Sequence, residues 1–419
     1  MKRFLLVIYA LLAPAQLLHA ADTLTLDEAL VTALKNHPQV IEASANLKSA
    51  EAKTGQALAT YYPQISVAAD WSKGRSYLTA LERVRTTQVN SEALYLQQTI
   101  YDFGRTAGAV EAARYNREAA DQNLVVTRND LMLRVKSAFY LLLAAEKQFE
   151  ATKETVKARE EVYRQAEEFF RQGIRPKVEV TKAEANLYAA RTSLIRAGNN
   201  KEIARIELAG AMGTAEQESR SLVEPPADGS PLPERQQVQL DAIRSRPELQ
   251  QLSALKSAAQ SALKTAKSGY LPVLSGTASL GYADRDFPPS GNVWGAGINL
   301  TVPLFSGFSS VEEVREATAN VNAMEARKSV LRLQIAKEVG SAWLGCQEAM
   351  ARMASTQKEV EAAEENRRLA QGRYHEGVGS IIEVTDAQSQ ALEAQTAHIQ
   401  AGYDYRIARA ALYRATGKE

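Results

Sequence analysis

An internal repeat constrains the fold of this chain more than any other feature. The stretch GVGSIIEVTDA at residues 377–387 repeats GIRPKVEVTKA at residues 173–183, with five of eleven positions identical at an offset of 204. In both copies a glycine ends a charged helical stretch, and Pro176 or Ser380 opens the next helix. The sequence therefore predicts two copies of one unit, each containing a helical hairpin with its tip at the motif.

The repeat divides the sequence into segments. Residues 21–213 are predicted to form the first repeat and residues 238–419 the second, with helical tips at about 172–177 and 376–380. Residues 214–237 hold four prolines among acidic and small polar residues, which is typical of a linker. The length of 419 residues suits two ordered units better than one compact domain.

The first twenty residues have the pattern of a secretory signal peptide. Two basic residues precede the apolar run 4–12, and Leu18-His19-Ala20 provides a small-residue cleavage site. A membrane anchor is the alternative, but Pro14 and Gln16 interrupt the run, which is shorter than the roughly 20 residues of a spanning helix. We therefore predict export, with residues 1–20 removed by cleavage near Ala20.

Two stretches change from a helical period to strict alternation, which predicts β-hairpins at about 64–101 and 273–305. In the first hairpin, strands at 64–73 and about 89–101 flank a polar loop of about fifteen residues. The repeat offset changes from 209 to 204 across the hairpins, which makes the first one five residues longer. The remaining sequence is largely helical, and one uninterrupted helix of sixty-odd residues would be roughly 100 Å long.

The strands carry one apolar face each, and the charged, alanine-rich helices offer no broad apolar surface to cover it. After residue 20 there is no run of 18 apolar residues, which excludes a membrane-spanning helix and leaves a membrane β-barrel open. In lipid a sheet must close on itself, and four strands are too few to close. Two chains would give a filled eight-stranded barrel, whereas three give twelve strands and a lumen. We therefore expect a mainly α chain that forms a homotrimer, with a 12-stranded β-barrel continued by a 12-helix α-barrel.

Composition and motifs argue against several other function classes. Cys346 is the only cysteine, so the chain has neither an intramolecular disulfide nor a zinc site of paired thiolates. The 50 basic and 49 acidic residues nearly balance, and nothing indicates binding to nucleic acid. We find no phosphate-binding glycine loop and no hydrolase or metalloprotease motif, so we predict no enzyme activity and no cofactor. His375 lies beside the second tip, but a single histidine predicts no metal site.

Several short motifs occur in a fixed order along the chain. They are LTLDEAL at 24–30 followed by His37-Pro38, IYDFG at 100–104, PLF at 303–305, and the duplicated tip motif. In this order and with the duplication, the chain resembles the TolC family of trimeric outer-membrane efflux channels over essentially its whole mature length. The resemblance implies a barrel in the outer membrane in contact with its lipid and a helical tunnel through the periplasm. It also implies docking to a periplasmic adaptor (membrane fusion) protein and an inner-membrane transporter.

The resemblance also implies roles for residues that follow the tips. Glu383 and Asp386 match an acidic pair that narrows the periplasmic entrance, and their spacing puts them on one helix face. Three chains would place six carboxylates around the axis, which would favour cations. The first repeat has Glu179 and Lys182 instead, so we expect a softer selectivity. Ser380 and Glu383 also match a capping box, and acids stabilise a helix N-terminus, so both interpretations stay open.

The turns of the tips resemble the adaptor-contacting turns of the family. The residues concerned are Gly173, Ile174, Arg175, Gly377, Val378 and Gly379. Because glycine ends helices without any partner, we predict adaptor contact mainly for Ile174, Arg175 and Val378.

The sequence leaves the cargo open. One candidate is the outer-membrane channel of a tripartite efflux system for drugs and toxic compounds, and another is the outer-membrane component of type I protein secretion. A non-conducting structural protein that spans the periplasm is a third candidate, from a different class. The lipid-facing strands and the Asp102-Phe103-Gly104 junction between strand and helix favour a conducting channel.

Overall fold

The computed structural model describes residues 23–78, 82–214, 220–226 and 229–418, and the predicted signal peptide lies outside them. The first repeat contains β1 (Thr23–Leu24), α1 (Leu26–Asn36), α2 (Pro38–Ala59), β2 (Gln64–Leu78), β3 (Arg83–Tyr101), α3 (Arg105–Arg171) and α4 (Lys177–Met212). The second contains β4 (Ser221–Leu222), α5 (Arg235–Ser245), α6 (Pro247–Ser268), β5 (Val273–Asp284), β6 (Gly291–Thr301), α7 (Ser309–His375) and α8 (Ile381–Thr416).

The helices of the two repeats begin and end at corresponding residues. Helices α1 and α2 match α5 and α6 at an offset of 209, and α3 and α4 match α7 and α8 at an offset of 204. The change of offset falls across the hairpins, as predicted. The internal repeat of the sequence is therefore a repeat of the fold.

Local sequence signals explain where the short helices begin. Thr25 and Glu28 form a reciprocal capping box, in which each backbone N–H donates to the other residue's side chain at 3.2 Å. Pro38 and Pro247 are the first residues of α2 and α6, because proline can open a helix but cannot continue one. The predicted interruptions at His37-Pro38 and Arg246-Pro247 are therefore confirmed. Helix α5 begins at Arg235, slightly inside the predicted linker 214–237.

The four long strands form one antiparallel sheet in the order β2-β3-β5-β6. The two hairpins are joined because β3 pairs with β5, from Asn90 opposite Asp284 to Tyr101 opposite Leu274. Strands β2 and β6 have a neighbour on one side only, within the part of the chain that the structure describes. A single chain therefore leaves two free sheet edges.

The first hairpin differs in detail from the prediction. Strand β2 continues to Leu78 and β3 begins at Arg83, so the predicted polar loop of about fifteen residues is wrong. The hairpin extends as a backbone ladder whose end pairs Leu78 with Arg83. Alternation of apolar residues predicts a buried face, and the paired stretches 73–76 and 85–88 contain no large apolar residue, so this part of the ladder carries no such signal. The second hairpin ends at Thr301, before the predicted residue 305.

An apolar row crosses the whole sheet on one face. Val67 lies opposite Leu94, Leu94 opposite Leu280, and Leu280 opposite Trp294. These side chains are 75%, 43%, 58% and 77% exposed, respectively. Directly opposed residues project to the same face of a sheet. The predicted apolar face therefore exists, and the residues that the structure describes leave it uncovered.

The chain forms two compact units, and each unit takes segments from both repeats. One unit comprises residues up to 33, 135–230 and 360–403 and contains both tips. The other comprises residues 34–134, 231–359 and 404–419 and contains the four-stranded sheet. Each has its own apolar core, and Cys346 is buried in that of the sheet-containing unit. None of the described helices is both long and apolar enough to cross a lipid bilayer.

Candidate functional site: the helical tips

Both tips close with the same turn. Gly173 and Gly377 adopt positive φ angles of 72° and 76°, which residues other than glycine rarely adopt. The N–H of Ile174 donates to the carbonyl of Phe169 at 2.9 Å, and Val378 donates to Arg373 at 3.0 Å. These bonds satisfy carbonyls at the ends of α3 and α7. The structure confirms that glycine ends the helix in each repeat.

Gly379 is required for a different reason. A Cβ atom at this position would lie 2.9 Å from the Tyr374 nitrogen and 3.0 Å from the carbonyl carbon of Arg373. Such distances leave no space for a side chain beside the end of α7. Its repeat-related residue is Arg175, so the two tips differ most at this position.

Arg175 connects the first tip to the second. Its Nη2 donates to the carbonyl oxygens of Gly377 at 2.7 Å and Gly379 at 2.8 Å, and its Nη1 lies 3.5 Å from a carboxylate oxygen of Glu179. The side chain is only 21% exposed. The guanidinium of Arg175 is thus engaged within the chain, and its predicted contact with an adaptor stays a prediction. Ile174 and Val378 are 55% and 72% exposed.

Glu179 lies inside the tip. Its side chain is 13% exposed, and its carboxylate also lies 3.4 Å from the hydroxyl of Tyr374, which is 1% exposed. Burial, together with the negative charge of Glu179, raises the pKa of Tyr374 to about 12. The structure does not bring Glu179 together with Lys182, whose side chain is exposed.

The acidic pair of the second tip lies on the exposed face of α8. Glu383 has a side chain that is 48% exposed, and Asp386 is also exposed. The opposite face carries Ile381, Val384 and Ala387, which pack in the core of the tip-containing unit. This amphipathic pattern directs both carboxylates away from the core.

The capping interpretation of Glu383 is also supported. Its backbone N–H donates to Ser380 Oγ at 3.2 Å, which is the expected cap bond. Its carboxylate lies 3.7 Å from Nε of Arg373, in the last turn of α7. Glu383 therefore combines a capped helix start with an ion pair across the tip.

Sequence reasoning missed three residues at the tips. Arg373 and Tyr374 both precede the second turn in the last turn of α7, and Arg159 of α3 is a buried arginine that donates to α8. Of these, Tyr374 had a visible signal, since it matches Phe170 at the repeat offset and both precede the turn by three residues. The others depend on contacts between helices that are distant in sequence.

His375 beside the second tip is the histidine considered as a metal ligand in the sequence analysis. His375 has an exposed side chain and lies 3.5 Å from Glu376. Among the residues that the structure describes, no group of three or more His, Cys, Asp or Glu side chains could hold a metal ion.

Comparison with known proteins gives the family. The profile of the outer membrane efflux protein family matches residues 29–214 and 240–418, one stretch in each repeat. The chain belongs to this family. The predicted class, an efflux channel of the outer membrane that extends into the periplasm, is therefore confirmed.

Individual relatives agree with this assignment. Protein CyaE of Bordetella pertussis is 27% identical over 95% of this chain and 85% of its own length. Outer membrane efflux protein BepC of Brucella suis is 26% identical over 95% of this chain and 86% of its own length. The solved structure of the CmeC outer membrane channel of Campylobacter jejuni has a TM-score of 0.83 at 19% identity, and covers 94% of this chain and 85% of CmeC. This likeness shows a shared fold and confirms the predicted mainly α chain with its β-hairpins.

Proposed function

We propose that three copies of the chain assemble into one channel, with each copy contributing four strands. The observation that carries this proposal is the sheet with two free edges and an apolar row across all four strands. Free edges leave backbone groups unpaired in lipid, so β6 of one copy would pair with β2 of the next. Twelve strands would enclose a lumen.

We propose that this channel carries small molecules in a tripartite efflux system. The family description and the name of BepC support efflux as the process. Exposed Ile174 and Val378 at the turns offer apolar contacts to a periplasmic adaptor, which would connect the channel to an inner-membrane transporter. Arg175 would support docking indirectly, because it binds the carbonyls of the second turn.

We propose that the exposed charges after the tips line the narrowest part of the path. They are Glu383 and Asp386 of α8 and Lys182 of α4. Three chains would present six carboxylates and three ammonium groups, which would favour cations moderately. Glu179 would act within the tip, since its side chain is 13% exposed and lies against Arg175 and Tyr374.

Single-channel recording of the purified protein in planar bilayers tests the path and the constriction together. We expect discrete conductance, cation preference and block by a trivalent cation. Glu383→Gln with Asp386→Asn should weaken both the preference and the block. The matched control is Glu154→Gln, which removes an exposed carboxylate of α3 paired with Lys157. If the trivalent cation blocks the double variant as strongly as the wild type, the acidic pair does not line the constriction. If the wild-type protein shows no conductance, the non-conducting alternative is favoured.

A deletion strain tests the cargo. The strain should become sensitive to compounds from a panel of drugs and toxic compounds, and the wild-type gene should restore resistance. Loss of a secreted protein from the medium with normal resistance would instead identify type I secretion.

A further inference from the structure

We propose that Arg159 is a specificity-determining residue of the constriction: its buried positive charge lies behind Asp386 and offsets part of the negative charge that the acidic pair presents to the channel. This inference rests on the proposed function of Glu383 and Asp386, and deepens it.

Arg159 reaches from α3 to the first turns of α8. Its Nη2 donates to the carbonyl oxygen of Thr385 at 2.9 Å and to Ser389 Oγ at 2.9 Å. The residue is only 6% exposed, and its Nη1 has no hydrogen-bond partner among the described residues. Thr385 immediately precedes Asp386, so the guanidinium binds the backbone that carries the acid.

The electrostatic environment of Arg159 is dominated by burial. Burial lowers the pKa of its guanidinium, and the negative charge of Asp386 opposes this shift. A guanidinium stays charged even so, because its ordinary pKa is far above neutrality. Because this guanidinium binds the carbonyl of Thr385, a positive charge that is screened poorly by solvent lies behind the turn that carries the exposed carboxylate of Asp386.

Stability alone does not account for a charge at this position. A buried charge loses its hydration, and well-packed apolar residues often stabilise such a contact as well or better. The neighbouring core shows this solution, since Val162 and Ala166 of α3 pack in the same cluster as Val384 and Ala387 of α8.

The two repeats provide an internal comparison. At the offset of 204, Arg159 corresponds to Ala363, Asp386 to Lys182, and Ser389 to Ala185. The repeat with an acid at the exposed position has a buried arginine and a hydroxyl acceptor behind it. The repeat with a lysine there has two alanines. The buried cation therefore accompanies the acid, as expected if its function is to offset that charge.

The test measures the ratio of cation to anion permeability from reversal potentials in a salt gradient, with the assembled full-length protein in planar bilayers. Arg159→Gln keeps a hydrogen-bond donor and removes the charge, and should raise the ratio by roughly two- to fivefold. Arg159→Lys keeps the charge and should leave the ratio near that of the wild type. Arg159→Met is a second neutral variant and should resemble Arg159→Gln. In an Asp386→Asn background the effect of Arg159→Gln should shrink.

The control is Lys157→Gln. Lys157 lies on the same helix two residues earlier and therefore on nearly the opposite face; its side chain is 59% exposed and pairs with Glu154. It should leave the ratio unchanged. An equal rise in Lys157→Gln would overturn the inference, because any lost cation would then have the same effect.

Two further outcomes would overturn it and are distinguishable. If Arg159→Gln and Arg159→Lys change the ratio equally, or neutral variants leave it unchanged while Glu383→Gln with Asp386→Asn lowers it, Arg159 is purely structural and the proposed constriction stands. If Glu383→Gln with Asp386→Asn leaves the permeability ratio unchanged, the proposed constriction fails, and the inference fails with it.

Discussion

Replacing Arg175 with methionine should loosen the second tip, although the replaced residue belongs to the first. Arg175 donates to the carbonyls of Gly377 and Gly379 at 2.7 and 2.8 Å and lies 3.5 Å from Glu179. Methionine has a similar length and keeps apolar contacts, but it donates no hydrogen bond. The substitution therefore isolates the polar connection between the tips.

The size of the effect follows from the number and environment of these bonds. A hydrogen bond from a charged donor contributes about 1.5 to 3 kcal/mol in a protein. Both bonds come from the same nitrogen of a partly exposed side chain, so we assign a free energy of about 2 kcal/mol to the two bonds together. That free energy corresponds to roughly a thirtyfold rise in the population of the open turn.

Hydrogen exchange measured by mass spectrometry reports this opening. The amides of Val378 and Gly379 donate to the carbonyl of Arg373 at 3.0 and 2.8 Å, so they exchange when the turn opens. In Arg175→Met, a peptide containing both amides should exchange roughly thirty times faster than in the wild type.

Arg171→Met serves as the matched control. Arg171 is in the last turn of α3, its side chain is 69% exposed, and it pairs with Glu168 within its own helix. Exchange at the second tip should remain as in the wild type. If Arg175→Met also leaves exchange at Val378 and Gly379 unchanged, the two bonds do not stabilise the turn and our reasoning about the coupled tips is wrong.

Three other predictions concern backbone space and charge. Gly379→Val should abolish drug resistance in cells without reducing the amount of assembled channel, because a Cβ atom there meets the end of α7, whereas Gly372→Val, where a Cβ meets nothing within 4 Å, should retain resistance. Gly281→Val should reduce the fraction of heat-resistant trimer on semi-native gels, because its Cβ would overlap the backbone of β3, whereas Gly297→Val, with 3.9 Å to its nearest atom, should not. Burial raises the pKa of Glu338, but hydrogen bonds from Gln334 and Arg246 outweigh burial and hold the pKa below its ordinary value of 4.5. The stability that the Glu338 carboxylate contributes is therefore complete above pH 4.5 and is lost as pH falls through the lowered pKa. Glu338→Gln should therefore flatten the dependence of the melting temperature on pH below 4.5, and an unchanged dependence would contradict the assignment.

The helical part of the fold could be predicted well from the sequence, because its signals are local. Thr25 with Glu28, Pro38 and Pro247 mark helix starts through their own backbone and side-chain chemistry. Because the sequence repeats, each helix boundary found in one half of the chain predicts the corresponding boundary in the other half. These features require no knowledge of what packs against them.

The outer part of the first hairpin and the contacts within the tips could not be predicted from local sequence signals. The outer part of the β2–β3 ladder, which ends with Leu78 opposite Arg83, is held by backbone pairing, and side-chain alternation does not predict such pairing. Glu179 was predicted to lie with Lys182, since both follow the first tip, but its position is set by Arg175 and the buried Tyr374. Residue order predicts which side of a helix a residue occupies, and it does not predict which distant side chain competes for it.

The divergence of the two repeats at one position accounts for the asymmetry of the tips. Arg175 and Gly379 are repeat-related, and the arginine of one copy binds the carbonyl of the glycine in the other at 2.8 Å. The absence of a side chain at Gly379 lets its backbone lie against Tyr374 and Arg373. If both repeats had arginine at this position, the side chain at residue 379 would occupy the space beside α7. If both repeats had glycine there, the two turns would lose the polar connection between them. The pair therefore requires different residues in the two copies, which is a physical reason for a duplicated motif to remain only partly alike.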